Sequence, residues 1–209
     1  MSNSQLSKPA SKRLNPRKMP SQSRSALTVD AILEGAAHIL ERYGLEGYTT
    51  NAIAKRSGVS IGSLYQYFPA KDAITAALIE RESAVIAQEV AQALQIKSFR
   101  PALSAFVDVA VRQQLKRPEL ARLLDFEQTR LSAVLPVSTD AMAVRQRVVD
   151  FLNQHINPKI TNPEIAAADM MSIISALTDA AGRRKETNFA ALAKRIEGAV
   201  LGYLKATSI

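Results

Sequence analysis

Few side chains in this sequence could carry out catalysis, and the residue patterns of most enzyme active sites are missing. There is no cysteine, and the two histidines, His38 and His155, lie far apart along the chain. Disulfide scaffolds, thiolate metal sites and cysteine nucleophiles are therefore excluded. We find no phosphate-binding glycine loop, no nucleophile elbow and no metal-spaced cluster of His, Asp and Glu. The sequence predicts a protein that is not an enzyme and that uses no cofactor or metal.

Positive charge is concentrated at the N-terminus. The 209 residues carry a net charge of +8, from 27 Lys and Arg against 19 Asp and Glu. The first 29 residues hold no acid and six cations, which are Lys8, Lys12, Arg13, Arg17, Lys18 and Arg24. Such an arm favours a polyanionic partner. Its prolines and few apolar residues argue against an amphipathic membrane helix, so we favour nucleic acid over a membrane; the alternative is a solvated tail that only aids solubility.

The stretch from Thr49 to Lys71, TTNAIAKRSGVSIGSLYQYFPAK, predicts two short helices that are joined by Ser-Gly-Val-Ser. This arrangement is a helix-turn-helix. Gly58 suits the turn, because glycine adopts the left-handed conformation at little cost, and Ser60 can cap the second helix. Ile53 and Leu64 would form the buried seam. The second helix would then present outward Ile61, Ser63, Gln66 and Tyr67.

Apolar residues at spacings of three and four predict helices along the rest of the chain, and no stretch alternates as a strand would. The first helix would begin after Thr28 as its N-cap and stop at Gly44. The two helices of the motif would cover residues 50–57 and 61–68. Further helices are predicted over residues 71–95, 101–117, 118–135, 138–155, 163–183 and 189–206. The fold class is therefore all-α.

The segment resembles the DNA-binding domain of the tetracycline-repressor (TetR) family. The matching residues are Ile53-Ala54, Gly58-Val59-Ser60, Gly62, Leu64-Tyr65, Tyr67-Phe68 and Lys71, with Ile32-Leu33, Ala36-Ala37 and Tyr43-Gly44 in the preceding helix. The composition of residues 1–25 predicts a basic arm that is disordered when free, because it can bury too little apolar surface. The resemblance implies the other two parts, a three-helix DNA-binding domain over residues 26–85 and a helical ligand-binding and dimerisation domain over 86–209.

The resemblance also implies which residues meet DNA. The recognition helix would be Ile61 to Phe68, with Ser63 and Gln66 at base edges and Ile61 against a thymine methyl. Thr50, at the start of its helix, would hold a phosphate. The other residues expected to contact DNA are Ser60, Tyr65 or Tyr67, and Lys71. Separately, the positive charge of the arm next to the motif suggests that Arg17 or Arg24 enters a minor groove. Leu64, Phe68 and one of the tyrosines could instead belong to the core.

By the same resemblance, the last two helices would form the homodimer. The interface is expected to use Met170, Ile173, Ile174, Leu177, Ile196, Val200 and Tyr203. Two helices from each chain would make a four-helix bundle. The alternative is that these apolar faces only close the core of one chain.

A ligand pocket would lie among the central helices, again by resemblance. Its candidate lining is Phe106, Val109, Gln113, Phe126, Thr129, Arg130, Met142, Phe151, His155 and Met171. The same residues could instead form an ordinary helical core. Arg130 is notable, because a cation that faces inward needs a partner or an anionic ligand. Glu127, three residues earlier, could be that partner in an ordinary helical pair.

The function implied is a cytoplasmic, nucleoid-associated transcriptional regulator. It would be a homodimeric repressor that binds a palindromic double-stranded DNA operator and leaves it when an unknown small molecule binds, with no membrane partner. Activation instead of repression stays open. The alternative from another class is a DNA-binding factor that organises the chromosome or bridges to a protein partner and senses no metabolite.

Overall fold

A computed structural model describes residues 23–134, 138–156 and 160–207, and within these ranges the chain forms nine α-helices. They are α1 Ser23–Gly47, α2 Thr50–Ser57, α3 Ile61–Tyr67, α4 Lys71–Ala93, α5 Phe99–Lys116, α6 Pro118–Leu131, α7 Thr139–His155, α8 Pro163–Arg183 and α9 Phe189–Thr207. The all-α prediction is confirmed. Most predicted ends agree with the observed ends to within two residues, because proline and glycine mark them.

The largest difference lies in α1, which begins at Ser23, five residues before the predicted N-cap Thr28. The residues Ser-Arg-Ser-Ala-Leu carry no proline or glycine, so nothing in them stops a helix from extending backwards. At its other end, Gly44 leaves the helical conformation, with φ 62° and ψ −166°. The predicted stop at Gly44 is therefore a local break, after which one more turn continues to Gly47.

The described chain divides into two compact units. The first contains residues 23–81 and 123–134, and in it α2 packs against both α1 and α3. Its core includes Ile32, Ala36, Leu40, Ile53, Leu64 and Phe68, none of them more than marginally exposed. A Cβ built on Gly35 of α1 would lie 2.2 Å from the Ser57 Oγ of α2, so only glycine permits this close approach.

The second unit contains residues 82–122, 138–156 and 160–207. In it α8 packs against α5, α7 and α9, and α5 also packs against α9. The apolar faces of these helices meet in one continuous core. Four of the predicted dimer residues, Met170, Ile174, Ile196 and Val200, are almost completely buried in that core. These four residues are part of the core of one chain, and their role in a homodimer stays a prediction.

The remaining predicted dimer residues, Ile173, Leu177 and Tyr203, are only partly buried against the same core. Their helix α8 is long and apolar enough to cross a membrane by length and composition alone, with a mean hydropathy of 1.2 over its most apolar 18 residues. A core helix of a soluble protein meets the same criterion. In a single chain 33% of that window is buried and much of the rest of α8 is half-buried, so one side of this helix stays exposed.

Candidate nucleic-acid interface

The two helices of the motif are fixed at their ends by backbone and side-chain hydrogen bonds. Thr49 caps α2, since its Oγ1 accepts a hydrogen bond from the Ala52 N–H at 3.2 Å. Gly58 ends α2 in the left-handed conformation, with φ 68° and ψ 23°. Ser60 caps α3 in the same way as Thr49 caps α2, and accepts from the Ser63 N–H at 3.0 Å. The predicted turn chemistry is therefore present, and it determines where α3 begins.

The buried seam of the motif lies where the sequence predicts it. Ile53 and Leu64 are fully buried and Ala54 is 3% exposed. Phe68, just after α3, is also fully buried, so it belongs to the core and not to the surface predicted to meet DNA. Because Leu64 is buried and α3 packs against α2, the opposite face of α3 is left for another molecule.

That opposite face carries the side chains predicted for DNA contact. Ile61, Tyr65, Gln66 and Ser60 are exposed, whereas Ser63, Tyr67 and Thr50 are half-buried. The Thr50 Oγ1 lies 3.2 Å from the hydroxyl oxygen of Tyr65, so these two hydroxyls form one polar group across α2 and α3. The structure thus places Tyr65 rather than Tyr67 beside Thr50.

A second pair of hydroxyls begins α3. The Oγ atoms of Ser60 and Ser63 lie 2.8 Å apart. One of them donates to the other, which leaves a single hydroxyl hydrogen of the pair for an external acceptor. The pair is exposed at Ser60, so an oxygen of a phosphate or a base edge could accept that hydrogen.

Lys71 opens α4, and its ammonium group is held near an aromatic ring that the sequence analysis missed. The Nζ atom lies 5.6 Å from the centre of the Tyr48 ring. Tyr48 is 1% exposed, and the Thr75 Oγ1 donates to its hydroxyl at 3.3 Å. Burial raises the pKa of Tyr48 to about 12. Tyr48 therefore anchors the position from which Lys71 extends to solvent.

Arg130 has carboxylate partners within its own unit. Its Nη2 lies 2.6 Å from Asp72 Oδ1 and 2.7 Å from Glu127 Oε2, and the side chain is 41% exposed. The hydrogen bonds to Glu127 and then to Asp72 raise the pKa of Arg130. Glu127 is 4% exposed, so the arginine supplies the cation that this buried carboxylate needs. The pairing also joins α6 to the first turn of α4, next to Lys71.

The other residues predicted for the ligand pocket lie in varied surroundings. Phe106 and Phe151 are buried in the core of the second unit, and Met171 packs against it. Gln113 donates to Glu89 at 2.9 Å. Phe126 and Met142 are 54% and 52% exposed.

One groove in the second unit is large enough for a small molecule, at about 500 Å³. It is lined by side chains of α4, of α5 and of the segment between them, which are Glu89, Gln92, Ala93, Ile96, Ala105, Asp108, Val109 and Arg112. Of the ten pocket residues expected above, Val109 lines it and the other nine do not. Helical periodicity indicates which side chains face inward but not where two helices separate, so the sequence indicated Val109 but not the rest of this groove.

The predicted arm falls mostly outside the described residues. Arg17 lies outside them, and Arg24 belongs to the first turn of α1. The contribution of both residues to DNA binding therefore stays a prediction.

Comparison with known proteins agrees with the motif. Residues 32–78 match the family model for bacterial regulatory proteins, tetR family, and residues 98–204 match the tetracyclin repressor-like C-terminal domain. The chain is 31% identical over 81 residues to the nucleoid occlusion factor SlmA of Glaesserella parasuis, and 31% identical over 68 residues to the A-factor receptor protein of Streptomyces griseus. These alignments cover 39% and 32% of this chain, but only 40% and 25% of the relatives' own lengths.

A solved structure shares the fold over most of the chain. A TetR-family transcriptional regulator from Rhodococcus sp. superposes with a TM-score of 0.68 at 18% identity, covering 88% of this chain and 100% of its own. The two family models together span most of the chain and both of its compact units. The helix-turn-helix and the helical second unit are thus those of a DNA-binding transcriptional regulator and not of an enzyme, and the chain belongs to the TetR family of bacterial regulatory proteins.

Proposed function

We propose that this protein is a homodimeric repressor, which binds a palindromic operator and is released from it by a small molecule. The observation that carries the proposal is the uncovered face of α3. Its buried face is fixed by Leu64, while Tyr65 and Gln66 extend to solvent beside the Ser60–Ser63 hydroxyl pair. A short helix with this pattern supplies the hydrogen-bonding groups that read base edges in the major groove.

The groups around α3 suit the phosphates that flank such a site. Thr50 and Tyr65 share a hydrogen bond, and both hydroxyls lie at the start of α2, where free backbone N–H groups favour an anion. Lys71 is exposed and adds a full positive charge. Phosphate contacts position the protein and base contacts give it specificity, so the two sets have separable roles.

A homodimer is supported by the uncovered sides of α8 and α9. Ser172 and Ala176 of α8 are exposed, as are Gly198, Ala199 and Gly202 of α9. A Cβ built on either of these α9 glycines meets no atom within 4 Å. Small side chains allow helices of two chains to approach closely, and a second copy would cover the exposed side of the apolar helix α8. We therefore place the interface on these exposed faces instead of on the buried residues expected from the sequence.

The groove between α4 and α5 is the candidate site for the releasing ligand. Its lining combines apolar Ile96 and Val109 with the ion pair of Glu89 and Arg112. The hydrogen bond from Arg112 lowers the pKa of Glu89, so this carboxylate is charged at neutral pH. The lining suits an amphiphilic small molecule with a charged or strongly polar group.

The alternative function is that of a chromosome-organising factor that senses no metabolite. Its support is the similarity to the SlmA relative, whose name is nucleoid occlusion factor. Both functions would place the protein on the nucleoid in the cytoplasm. They differ in whether a small molecule changes the affinity for DNA.

A reporter assay tests the proposal. A DNA fragment selected by the protein from its source genome is placed before a reporter gene, and the protein is expressed from a second plasmid. We expect lower reporter expression with the protein present, and release of the purified protein from the fragment by a protein-free metabolite extract. Increased expression would contradict repression. Binding that no extract alters would favour the chromosome-organising alternative.

A further inference from the structure

Two corners of the second unit, far apart in sequence, meet and bring their cations together. One is the connection between α5 and α6, and the other is the connection between α8 and α9. A Cβ built on Gly182 of α8 would lie 3.7 Å from Leu115 Cδ2 and 3.9 Å from Pro118 Cβ, so the corners are in contact. The exposed cations on them, which we call the basic corner patch, are Lys116, Arg122, Arg183, Arg184, Lys185 and Arg195.

The carboxylates of the patch neutralise only part of this charge. Glu119 pairs with Arg122, and Glu186 is shared between Arg184 at 3.3 Å and Arg195 at 2.7 Å. The pKa of Glu119 is lowered first by its hydrogen bond with Arg122, and also by the charge of Lys185 on the other corner. Asp179 is the third acid, and it lies near Arg183. Six exposed cations therefore face three carboxylates.

Lys185 occupies a position that favours glycine. Its φ is 53°, and it is the one non-glycine residue with a positive φ in the described chain. The Lys185 N–H donates to Gly182 O and the Glu186 N–H donates to Ala181 O, both at 3.0 Å. These two bonds form the helix-ending motif in which glycine is the usual residue. Here a lysine with a strained backbone belongs to the patch, at a position where glycine would be more stable.

We propose that the basic corner patch binds the phosphate backbone of duplex DNA, which gives the second unit a DNA contact of its own in addition to the helix-turn-helix. Four of its six cations are arginines, whose planar forks match phosphate oxygens better than ammonium groups do. Duplex DNA presents one negative charge per about 1.7 Å of its axis, so a cluster of cations meets several phosphates at once.

An anionic membrane surface is the competing partner, and the patch suits it less well. Binding to a membrane surface requires an apolar face that enters the acyl region, next to the basic residues. Two exposed large apolar side chains lie near the patch in sequence, Phe189 at the start of α9 and Phe126 four residues after Arg122, and two rings do not make such a face.

The experiment measures the affinity of the full-length protein for a random-sequence duplex from 50 to 300 mM salt. The patch variants are the double substitution R183Q/R184Q and, separately, Lys185→Gly. The control, R145Q/R147Q, removes two exposed cations of α7 that lie outside the patch. Each lost phosphate contact lowers the log–log slope by about 0.9. We expect a decrease of roughly 1–2 for the double variant and about 1 for Lys185→Gly, and no change for the control.

Lys185→Gly gives a second readout that a purely structural role would not give. Because glycine relieves the left-handed strain, we expect its melting temperature to rise by roughly 2–4 °C while its affinity for DNA falls. Equal slopes for the wild type, the patch variants and the control would overturn the proposal. So would unchanged DNA slopes together with weaker binding of the patch variants to phosphatidylserine vesicles.

Discussion

At the scale of single residues, the interface combines exposed polar groups with buried ones that hold them in place. Lys71 and Gln66 extend to solvent, whereas Tyr48 and Leu64 beneath them are buried. The hydroxyl pairs Thr50–Tyr65 and Ser60–Ser63 link residues of different helices or turns. A substitution at an exposed position should therefore change DNA binding, and one at a buried position should change stability.

Tyr48 predicts a pH dependence of stability. Burial raises its pKa from about 10 to about 12, so the folded state holds the phenolic proton more tightly than the unfolded state. This stabilisation is complete below pH 10 and is lost as the pH rises from 10 to 12. Between pH 8 and pH 11, we expect the free energy of unfolding to fall by about 1.4 kcal/mol less in Tyr48→Phe than in the wild type. Urea unfolding at both pH values measures the difference, and identical losses would contradict it.

Gln66 and Thr50 predict different effects on DNA binding. Gln66→Ala removes a group that we place at a base edge. It should therefore weaken the free energy of binding to the operator by about 1–3 kcal/mol and relax specificity at one base-pair position. Thr50→Val removes a phosphate contact and should weaken binding to operator and random DNA alike. Affinities of both variants for operator, single-base variants of it and random duplex distinguish these effects. Loss of specificity in Thr50→Val would show that the roles are assigned wrongly.

At the scale of helices, the ends of α2 and α3 determine the shape of the motif. Within twelve residues, Thr49 and Ser60 each accept a hydrogen bond from a backbone N–H at the start of a helix, and Gly58 adopts the left-handed conformation that ends α2. The seam formed by Ile53 and Leu64 is buried in consequence. The contribution of these helix ends to stability is best tested at Gly58, because a Cβ makes the left-handed conformation of this residue unfavourable.

Gly58→Ala should destabilise the protein by about 1 kcal/mol. A Cβ at Gly58 meets no atom within 4 Å, so the cost comes from the left-handed backbone and not from a clash. Gly62 is the matched control, since it lies inside α3 and a Cβ there meets only the Ser60 Oγ, at 3.8 Å. Gly62→Ala should be neutral or stabilising by up to about 1 kcal/mol. Thermal unfolding of both variants provides the measurement, and equal effects would refute this account of the turn.

The sequence predicts a helix well where Gly or Pro marks its ends and apolar periodicity marks its core face. It predicts poorly the contacts between residues that are distant along the chain. The ends of α2 and α8 follow from Gly58 and Pro163. The N-terminal extension of α1 to Ser23 carries no such mark. Tyr48 was missed because it lies between helices, outside any periodic face. The bond from Arg130 to Asp72 joins residues 58 positions apart, and local patterns contain no information on such pairs.

At the scale of the whole molecule, the two compact units carry different candidate sites. The first contains the helix-turn-helix, and the second contains the α4–α5 groove and the exposed faces of α8 and α9. Apolar periodicity predicted the helix faces that hold Met170 and Ile196, and in one chain both side chains are buried. The exposed faces that we propose for the homodimer carry small residues, and small residues give no apolar periodicity.

Ala199→Glu should convert the dimer to a monomer. Ala199 is exposed on α9, and a buried unpaired carboxylate at a close helix contact is strongly unfavourable. Ala141→Glu, on an exposed site of α7, is the control and should leave the assembly unchanged. Sedimentation velocity measures the mass of each variant. A dimer that survives Ala199→Glu would place the interface elsewhere.

The most direct test of the central claim, that α3 reads a palindromic operator, is selection of DNA by the purified protein. Fragments of the source genome are presented at about 150 mM salt with competitor DNA, since non-specific binding is weak under these conditions. We predict enrichment of a palindrome whose half-sites lie about one helical turn apart, roughly 34 Å, or somewhat more. Retention of fragments that share no sequence would contradict the claim.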